Sequence, residues 1–225
     1  MNTQREQSIQ SWITSVLRSD QFEINFLAGD ASFRRYARIK LNNKTFMLMD
    51  APPEKEDCVP FVTIDEFFDA NGVRVPHIVA KDLTQGFLLL EDFGDVLLST
   101  LLNDQTVDTH YAQSFAQLIQ LQSIEGGGHF PEYSYEKLIS EMALLTDWLL
   151  PSLNIQPTDA ESALIKRTFA ILANAALAQP QVIVHRDFHS RNLMVLDGEQ
   201  ERGVIDFQDA VIGADTYDLI SITRD

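Results

Sequence analysis

The sequence predicts an α+β protein in two lobes, a small antiparallel β-sheet lobe with one helix and a mainly helical C-terminal lobe. Three observations lead to this prediction. Short β-rich runs separated by turn-forming residues dominate the chain before residue 94. Helical periodicity takes over from about residue 96 to residue 178, and short β-rich runs return after it. We therefore expect two domains, residues 1–94 and residues 95–225.

The expected N-terminal lobe opens with an amphipathic helix, because residues 4–18 place Ile9, Ile13 and Leu17 at helical spacing with polar residues between them. Strand-like runs follow, separated by pairs of good turn formers. A helix that ends at a glycine and two further strands complete the lobe. The expected positions of these turns, this helix and these strands are Gly29–Asp30, Asn42–Asn43, 57–71, 77–81 and 87–91.

The expected C-terminal lobe has helical stretches that include residues 118–124, 138–150 and 163–177. The glycine run 126–128 and the residues Pro151 and Pro157 should separate these helices. The runs QVIVH, NLMVLD and GVIDF then predict three short strands interrupted by polar turns.

Net charge limits the partners of this protein. Its 225 residues include 17 basic and 33 acidic side chains, which give a formal charge of -16. Such a charge repels the phosphate backbone of nucleic acids, so we expect no nucleic-acid partner. A bound polyphosphate would have to meet locally placed cations, either Mg²⁺ or a few arginines.

The sequence has no pattern typical of a membrane span or a secretory signal, and its single cysteine has no partner for a disulfide. The longest apolar runs are far shorter than the ~20 residues that a membrane span needs. The polar N-terminus, MNTQREQSIQSW, lacks the apolar core of a secretory signal, so a cytoplasmic location is expected by default. The single cysteine, Cys58, cannot form an internal disulfide and is interpreted as an ordinary, partly buried thiol.

The residues with the most distinctive spacing lie near the C-terminus. Asp187 and Asn192 stand in the order H-R-D-x-x-x-x-N, and Asp206 follows a second apolar run after a hairpin-length gap. This order is typical of phosphoryl transfer. A carboxylate on a rigid loop can accept the proton of an acceptor hydroxyl, so Asp187 is the candidate base. The amide of Asn192 and the carboxylate of Asp206 offer the hard oxygen ligands that Mg²⁺ prefers.

With these motifs the sequence resembles the aminoglycoside phosphotransferase and choline-kinase-like group, which has a protein-kinase-like bilobal fold. His189, two residues after Asp187, is a mark of this group. The resemblance implies ATP and Mg²⁺ as cofactors, a nucleotide-binding N-terminal lobe, and a C-terminal lobe with the catalytic and metal loops. It places His189 near the γ-phosphate, and a loop-stabilising hydrogen bond is the alternative role. Gly213 and Asp218 resemble the segment that braces the catalytic loop.

More narrowly, the segments LAGDASFRRYARI, FMLMDAPPEKED and HRDFHSRN resemble the anomeric sugar kinases that phosphorylate N-acetylmuramate and N-acetylglucosamine in cell-wall recycling. This resemblance implies an amino sugar as the small-molecule acceptor and a sugar 1-phosphate as the product. An aminoglycoside or another small alcohol is the alternative acceptor. A non-catalytic nucleotide-binding module is the alternative from another class of protein.

The expected phosphate-covering turn contains Gly29 and Ser32. Glycine permits the bend, and backbone N–H groups together with the Ser32 hydroxyl can face a phosphate. The segment has one glycine and lacks G-x-G-x-x-G, so a simple hairpin turn is the alternative.

The lysine that protein kinases place on the third strand is missing. Met49 and Asp50 stand near its position, so the usual partner of a helix acid such as Asp65 or Glu66 is missing too. Another cation must then support the phosphates, and the nearby candidates are Arg34, Arg35 and Lys44, of which we favour the two arginines. The alternative is that they form an ordinary solvated face of a strand.

Two further features follow from the resemblance. Glu91 and Phe93 lie in a segment that resembles the hinge, whose backbone binds adenine. Phe207 and Gln208 replace the usual Phe-Gly pair, which predicts a metal loop that is less free to flip and a constitutive site.

Members of the family continue beyond the GADTYDL segment, so we expect this chain to be a fragment or a short form whose C-terminal subdomain is truncated.

Overall fold

The computed structural model describes residues 3–28, 33–126, 128–196, 198 and 202–225. Its helices are α1 Thr3–Leu17, α2 Val59–Ala70, α3 Val107–Gln122, α4 Tyr135–Met142, α5 Leu150–Ser152, α6 Asp159–Leu177 and α7 Thr216–Thr223. Its strands are β1 Glu23–Phe26, β2 Arg35–Leu41, β3 Lys44–Asp50, β4 Ile78–Asp82, β5 Phe87–Glu91, β6 Gln181–Val184, β7 Leu193–Val195, β8 Arg202–Val204 and β9 Val211–Ala214. No helix in these described ranges is long and apolar enough to cross a membrane.

Two compact units make up the chain. The first combines Met1–Val107 with Arg191–Gln208, and the second combines Asp108–Ser190 with Asp209–Asp225. Residues 95–107 and 191–208 therefore pack with the N-terminal part of the chain, and the predicted domain boundary near residue 94 stays a prediction.

An antiparallel sheet of five strands, in the order β1-β2-β3-β5-β4, forms the centre of the first unit. The predicted turn between β2 and β3 is confirmed, with Asn42 in the left-handed region at a φ of 53°. Asparagine tolerates this conformation better than most residues do, which explains the turn. The other predicted turn, Gly29–Asp30, lies outside the described residues.

The two faces of this sheet have different neighbours. Helix α1 packs on one face, where Ile9 and Ile13 join a buried cluster with the sheet residues Ala37, Ile39, Leu48, Phe87 and Leu89. Successive strand residues alternate between the faces. Tyr36 and Met49, which are paired in the β2–β3 register, therefore lie on the face away from α1. We call these surfaces the α1 face and the opposite face.

The hairpin of β7 and β8 belongs to the first unit because backbone hydrogen bonds attach it there. The N–H of Val195 donates to the carbonyl of Val96 at 2.8 Å, and the N–H of Val204 donates to the carbonyl of Arg74 at 2.7 Å. The strands were predicted, but these long-range attachments were not.

The second unit contains helices and the two-stranded antiparallel sheet of β6 and β9. Helix α6 begins at a capping box, in which the Thr158 hydroxyl accepts from the N–H of Glu161 and the Glu161 carboxylate accepts from the N–H of Thr158. Strand β9 was not predicted, because its four residues, VIGA, contain a glycine and lack strong strand periodicity.

One predicted helix is wrong in its extent. A single helix was expected through Leu138–Leu150, but α4 ends at Met142 and a π-helical turn spans Leu145–Leu149. Pro151 does not separate two helices either, since it lies in the first turn of α5. A proline is tolerated there because its missing N–H has no intrahelical partner.

Candidate active site

The predicted metal ligands Asn192 and Asp206 lie on neighbouring main-chain segments of the first unit. The N–H of Ile205 donates to the carbonyl of Asn192 at 3.1 Å, which brings the residue before β7 next to the residues after β8. Asp206 has a φ of 64°, a left-handed conformation that costs a non-glycine residue about 1 kcal/mol. Its Oδ1 accepts a 2.9 Å hydrogen bond from Nε2 of Gln208. The surrounding structure therefore holds an exposed carboxylate in a backbone conformation that it would not adopt by itself.

Phe207 fixes the loop that carries Asp206. Its side chain is fully buried, with its ring centroid 4.9 Å from that of Phe61 and 5.8 Å from that of Phe68, both on α2. This anchoring supports the prediction that the metal loop is less free to flip.

The donor set at this loop fits Mg²⁺. An amide and a carboxylate are hard oxygen donors, and Mg²⁺ at phosphate-transfer sites is held by one or two protein carboxylates together with waters and phosphate oxygens. Among the described residues, no three His, Cys, Asp or Glu side chains are grouped so that they could hold an ion by themselves.

The predicted base, Asp187, lies in the second unit on a loop that Asp218 braces. The Asp218 carboxylate accepts hydrogen bonds from the backbone N–H of His185, at 2.6 Å, and from that of Arg186, at 3.0 Å. The N–H of Asp187 in turn donates to Nδ1 of His185 at 3.3 Å. Asp218 is buried and Asp187 is exposed. The bracing role that the resemblance implied for Asp218 is confirmed.

Burial raises the pKa of Asp218 to about 7, although the two backbone hydrogen bonds oppose that effect. The negative charge of Asp187 adds to the rise. Asp218 therefore gains a proton at a pH well above the usual range for aspartate, and the brace depends on the pH.

Arg186 is held by side-chain contacts that the sequence did not reveal. It has a φ of 78°, and its NH2 group donates to Oε1 of Glu141 on α4 at 2.7 Å. Its guanidinium also lies 5.6 Å from the ring centroid of Tyr133, whose hydroxyl donates to the same Glu141. Neither a positive φ nor contacts with residues more than 40 positions away can be read from residue spacing. Only the structure therefore shows that Glu141 and Tyr133 hold the Arg186 side chain.

His189 keeps both of its predicted roles open. Its backbone N–H donates to the carbonyl of Asp187 at 3.0 Å, which stabilises the loop through the main chain. Its ring Nδ1 is buried without a hydrogen-bond partner among the described residues. The contact with a γ-phosphate stays a prediction.

The two predicted arginines have different partners. NH2 of Arg34 donates to Oε1 of Glu56 at 2.7 Å. Arg35 donates instead to Oδ2 of Asp50, whose Oδ1 accepts from Arg5 at 2.6 Å. Asp50 is thus a buried carboxylate shared by two arginines, and one of them, Arg5, comes from α1.

The remaining residues that were considered for phosphate binding are Gly29, Ser32 and Lys44. Gly29 and Ser32 lie outside the described residues. Lys44 is exposed at the first position of β3, at the opposite end of that strand from Met49. Met49 is fully buried at the position near which a lysine was expected.

Glu91 and Phe93, the residues of the predicted hinge, both contact Arg74, which the sequence did not single out. NH1 and NH2 of Arg74 donate to the two carboxylate oxygens of Glu91, at 2.7 and 2.6 Å, and this pairing lowers the pKa of Glu91. The guanidinium of Arg74 also lies 4.6 Å from the ring centroid of Phe93. The Phe93 ring covers Gly203 so closely that a Cβ there would come within 2.5 Å of it.

A second arginine fixes the segment that follows β5. Nε of Arg38 donates to Oδ2 of Asp92 at 2.7 Å, and its NH2 donates to Oδ1 of Asp95 at 2.8 Å. Asp92 also accepts a 3.0 Å hydrogen bond from the N–H of Gly94. These contacts hold the predicted hinge between two arginines of the same unit.

The acids Asp65 and Glu66 of α2 were expected to lack the strand lysine as a partner, and in the part of the chain that the structure describes neither is paired with a residue of β3. Asp65 is only 2% exposed, and its Oδ2 has no hydrogen-bond partner among the described residues. Burial raises the pKa of Asp65 to about 8, and the charges of Asp69 and Glu66 add to the rise. Glu66 pairs with Lys81 on β4. Asp65 is therefore a carboxyl group that stays protonated at neutral pH.

Cys58 is buried, with 5% exposure, and burial raises the pKa of its thiol. Cys58 is therefore an ordinary thiol, since a raised pKa disfavours the reactive thiolate, and it is more deeply buried than was expected from the sequence.

One unit contains a sheet together with Asn192 and Asp206, and the other carries Asp187 on a loop that the buried Asp218 braces. Residues of these types in this order are typical of kinase-like phosphoryl transfer. A model of the phosphotransferase enzyme family matches residues 23–225. The chain belongs to this family.

Two curated relatives have the same name. An N-acetylmuramate/N-acetylglucosamine kinase of Pseudomonas putida is 40% identical over 199 residues, covering 88% of this chain. One of Neisseria meningitidis serogroup B is 36% identical over 228 residues, covering 99% of this chain. The matched regions make up 58% and 67% of the length of these two relatives.

Solved structures share the fold. An ADP-bound aminoglycoside phosphotransferase has a TM-score of 0.66 and 18% identity, covering 98% of this chain and 75% of that one. An aminoglycoside-3'-phosphotransferase of type VIII has a TM-score of 0.62 and 17% identity, covering 96% of this chain and 82% of that one. The predicted α+β, protein-kinase-like fold class is confirmed.

Proposed function

We propose that this protein transfers the γ-phosphate of ATP, with Mg²⁺, to the anomeric hydroxyl of N-acetylmuramate or N-acetylglucosamine. The segments that carry Asn192 and Asp206 support the proposal most directly, because the 3.1 Å hydrogen bond from the N–H of Ile205 to the carbonyl of Asn192 joins the main chain beside two residues of the types that bind Mg²⁺. The names of relatives at 36% and 40% identity support the acceptor. The activity belongs to the proposal because the chain spans only 58% of the length of the Pseudomonas putida relative.

The chain's own groups have distinct tasks in this reaction. Asp187 accepts the proton of the sugar hydroxyl while its loop is held by Asp218. Asn192 and Asp206 would hold Mg²⁺, which would neutralise part of the phosphate charge. His189 follows Asp187 on the same loop and is proposed to lie near the γ-phosphate.

The nucleotide is proposed to bind to the first unit. The main chain of the Glu91–Phe93 segment would hydrogen-bond adenine, since Arg74 and Arg38 already hold the side chains of this segment in place. The turn with Gly29 and Ser32 would cover the phosphates. A cytoplasmic location is part of the proposal.

An aminoglycoside is the second candidate acceptor. The net charge of -16 favours a cationic acceptor over a neutral or anionic sugar. A nucleotide-binding module without catalysis is favoured by the missing strand lysine alone, and the pair of Asn192 and Asp206 together with Asp187 opposes it, because binding alone requires no base.

A substrate panel tests the proposal. We expect ATP- and Mg²⁺-dependent ADP release with N-acetylmuramate and N-acetylglucosamine, and ³¹P NMR should show the new phosphate at the anomeric carbon. The methyl glycoside of N-acetylglucosamine, which lacks the anomeric hydroxyl, is the matched control and should give no turnover. Turnover with aminoglycosides but not with either sugar would identify the second candidate. ATP binding without any turnover would indicate the binding module.

A further inference from the structure

We infer that Arg34, held in place by Glu56 and Tyr36, is the cation that supports the nucleotide phosphates in place of the missing strand lysine, and that Arg35 has a structural role. This inference rests on the proposed function, since it assigns the phosphate contact of the same site. The sequence offered Arg34 and Arg35 equally. The two faces of the sheet separate them.

Arg35 belongs to the α1 face. Its partner Asp50 lies two residues after Leu48 on β3, so the two side chains point to the same face of the sheet. Leu48 is part of the buried cluster under α1. Arg5 of α1 reaches the same carboxylate, and its guanidinium lies 4.5 Å from the ring centroid of Phe87, another member of that cluster. The Asp50 carboxylate therefore links α1 to the sheet, and Arg35 belongs to this structural ion-pair cluster.

Met49, one of the two residues near the position of the missing lysine, lies on the opposite face. Its cross-strand partner is Tyr36, whose hydroxyl donates to the Met49 sulfur at 3.4 Å. The same hydroxyl is hydrogen-bonded to the side chain of Arg34. A chain of contacts thus leads from Met49 through Tyr36 to the guanidinium of Arg34.

The charge of Asp206 acts on the Tyr36 hydroxyl. Burial raises the pKa of the Tyr36 hydroxyl, the Arg34 guanidinium opposes that effect, and the charge of Asp206 adds to it. Arg34, Tyr36 and Asp206 belong to the same compact unit. A phosphate chain whose metal is held at Asp206 would therefore have Arg34 as a nearby cation.

Glu56 positions Arg34. The two side chains are only 10% and 24% exposed and approach to 2.7 Å, so the guanidinium is ordered before a ligand arrives. The main chain at Glu56 is itself fixed, since its N–H donates to the carbonyl of Pro52 at 3.0 Å. A guanidinium has five N–H donors in a planar fork, so one group can hold a carboxylate and contact phosphate oxygens at the same time.

This arrangement also accounts for Asp65. Protein kinases need an ion pair between the strand lysine and a helix glutamate to place the phosphates. Here the ion pair has moved to Arg34 and Glu56, and the acid on α2 is left buried, with no hydrogen-bond partner for its Oδ2 among the described residues and with the charge of Lys81 opposing the rise of its pKa only in part. Its raised pKa, about 8, keeps it neutral.

Nucleotide titrations of charge-matched variants test the inference. Arg34→Gln should weaken MgATP and MgADP binding by about tenfold or more while adenosine affinity stays within about twofold, because a charged hydrogen bond to phosphate is lost and the adenine site is intact. Arg34→Lys should restore part of the loss, and Glu56→Gln should weaken MgATP in the same sense but less. Arg35→Gln should lower the melting temperature without a phosphate-specific loss. Lys81→Gln, which removes a charge from an exposed ion pair of the same unit, is the control.

Specific outcomes overturn the inference. Equal losses for adenosine and MgATP in Arg34→Gln would show a structural role, and a phosphate-specific loss in Arg35→Gln would assign the contact to the other arginine. Should Arg34→Gln not fold, unchanged MgATP affinity in both Arg34→Lys and Glu56→Gln overturns it. Wild-type protein that binds MgATP but phosphorylates no sugar contradicts the proposed function alone. Wild-type protein that binds no phosphorylated nucleotide contradicts both.

Discussion

The backbone N–H of His185 donates a 2.6 Å hydrogen bond to the carboxylate of Asp218, a side chain that is fully buried in the second unit. The other oxygen of this carboxylate accepts from the N–H of Arg186, so a single side chain fixes two successive peptide groups directly before Asp187. The position of the proposed base thus depends on a residue 31 positions further along the chain.

Asp218→Asn should remove one of these two bonds, because a side-chain amide has one acceptor oxygen and its NH₂ group cannot accept from an N–H. A buried N–H then lacks a partner, which costs on the order of 1–3 kcal/mol of unfolding free energy. We expect a drop in kcat of about tenfold or more from the misplaced base, with unchanged MgATP affinity. Urea unfolding, kinetics and nucleotide titration measure these effects.

Asp209→Asn is the matched control, since it makes the same chemical change at an exposed position of the second unit. It should leave stability and kcat unchanged. Equal kcat in Asp218→Asn and wild-type protein would show that the brace is not needed to place Asp187.

Asp187→Asn and Asp206→Ala should separate chemistry from binding. Loss of a base typically lowers turnover by about 10²–10⁴-fold, so Asp187→Asn should lose turnover and keep its affinity for MgATP. Asp206→Ala should lose both, because a ligand of Mg²⁺ is removed. Turnover close to that of wild type in Asp187→Asn would reject the base assignment. Titration of ATP with and without Mg²⁺ checks the metal assignment.

Asp65 should make stability depend on pH. Its pKa is raised from 3.8 to about 8 in the folded protein, so the folded state binds a proton that the unfolded state has released. Stability is therefore complete below a pH of about 4 and is lost as the pH rises through 8, by up to about 1.4 kcal/mol per pH unit. Asp65→Asn should flatten this slope in unfolding measurements between pH 5 and pH 9.

A smaller slope in the same direction should remain in Asp65→Asn, because the pKa of Asp218 is also raised, to about 7. Asp104→Asn, at an exposed position, should keep the full slope of the wild type. An unfolding free energy of the wild type that stays level from pH 5 to pH 9 would contradict the protonated state of Asp65.

Gly203→Ala should disturb the hinge from β8. The added Cβ would lie 2.5 Å from two ring carbons of Phe93, so the ring must turn away from the strand. We expect a loss of about 1–3 kcal/mol in stability and a higher KM for ATP, with kcat less affected. Gly213→Ala is the control, since its Cβ would meet no atom closer than 3.3 Å. Equal KM values in wild type and Gly203→Ala would exclude a role of the Phe93 packing in nucleotide binding.

Local signals predicted most of the secondary structure. The turn at Asn42–Asn43, the helix α2 and the strands β4 and β5 follow from residue types within a few positions of one another, and the structure confirms them. The helix expected through Leu138–Leu150 was wrong because apolar periodicity does not distinguish a continuous α-helix from an α-helix followed by a π-helical turn.

The sequence alone determined the family, the order of Asp187, Asn192 and Asp206, and the absence of a lysine near Met49, because these depend on residue type and spacing. Only the tertiary structure decided which side chains contact the residues of the candidate site. Asp218 meets His185, Arg74 meets Glu91, and Arg34 and Arg35 reach different carboxylates through contacts between residues up to 33 positions apart. Such contacts depend on strand register and on the face to which each side chain points, and a shift of one residue in register would exchange the two faces.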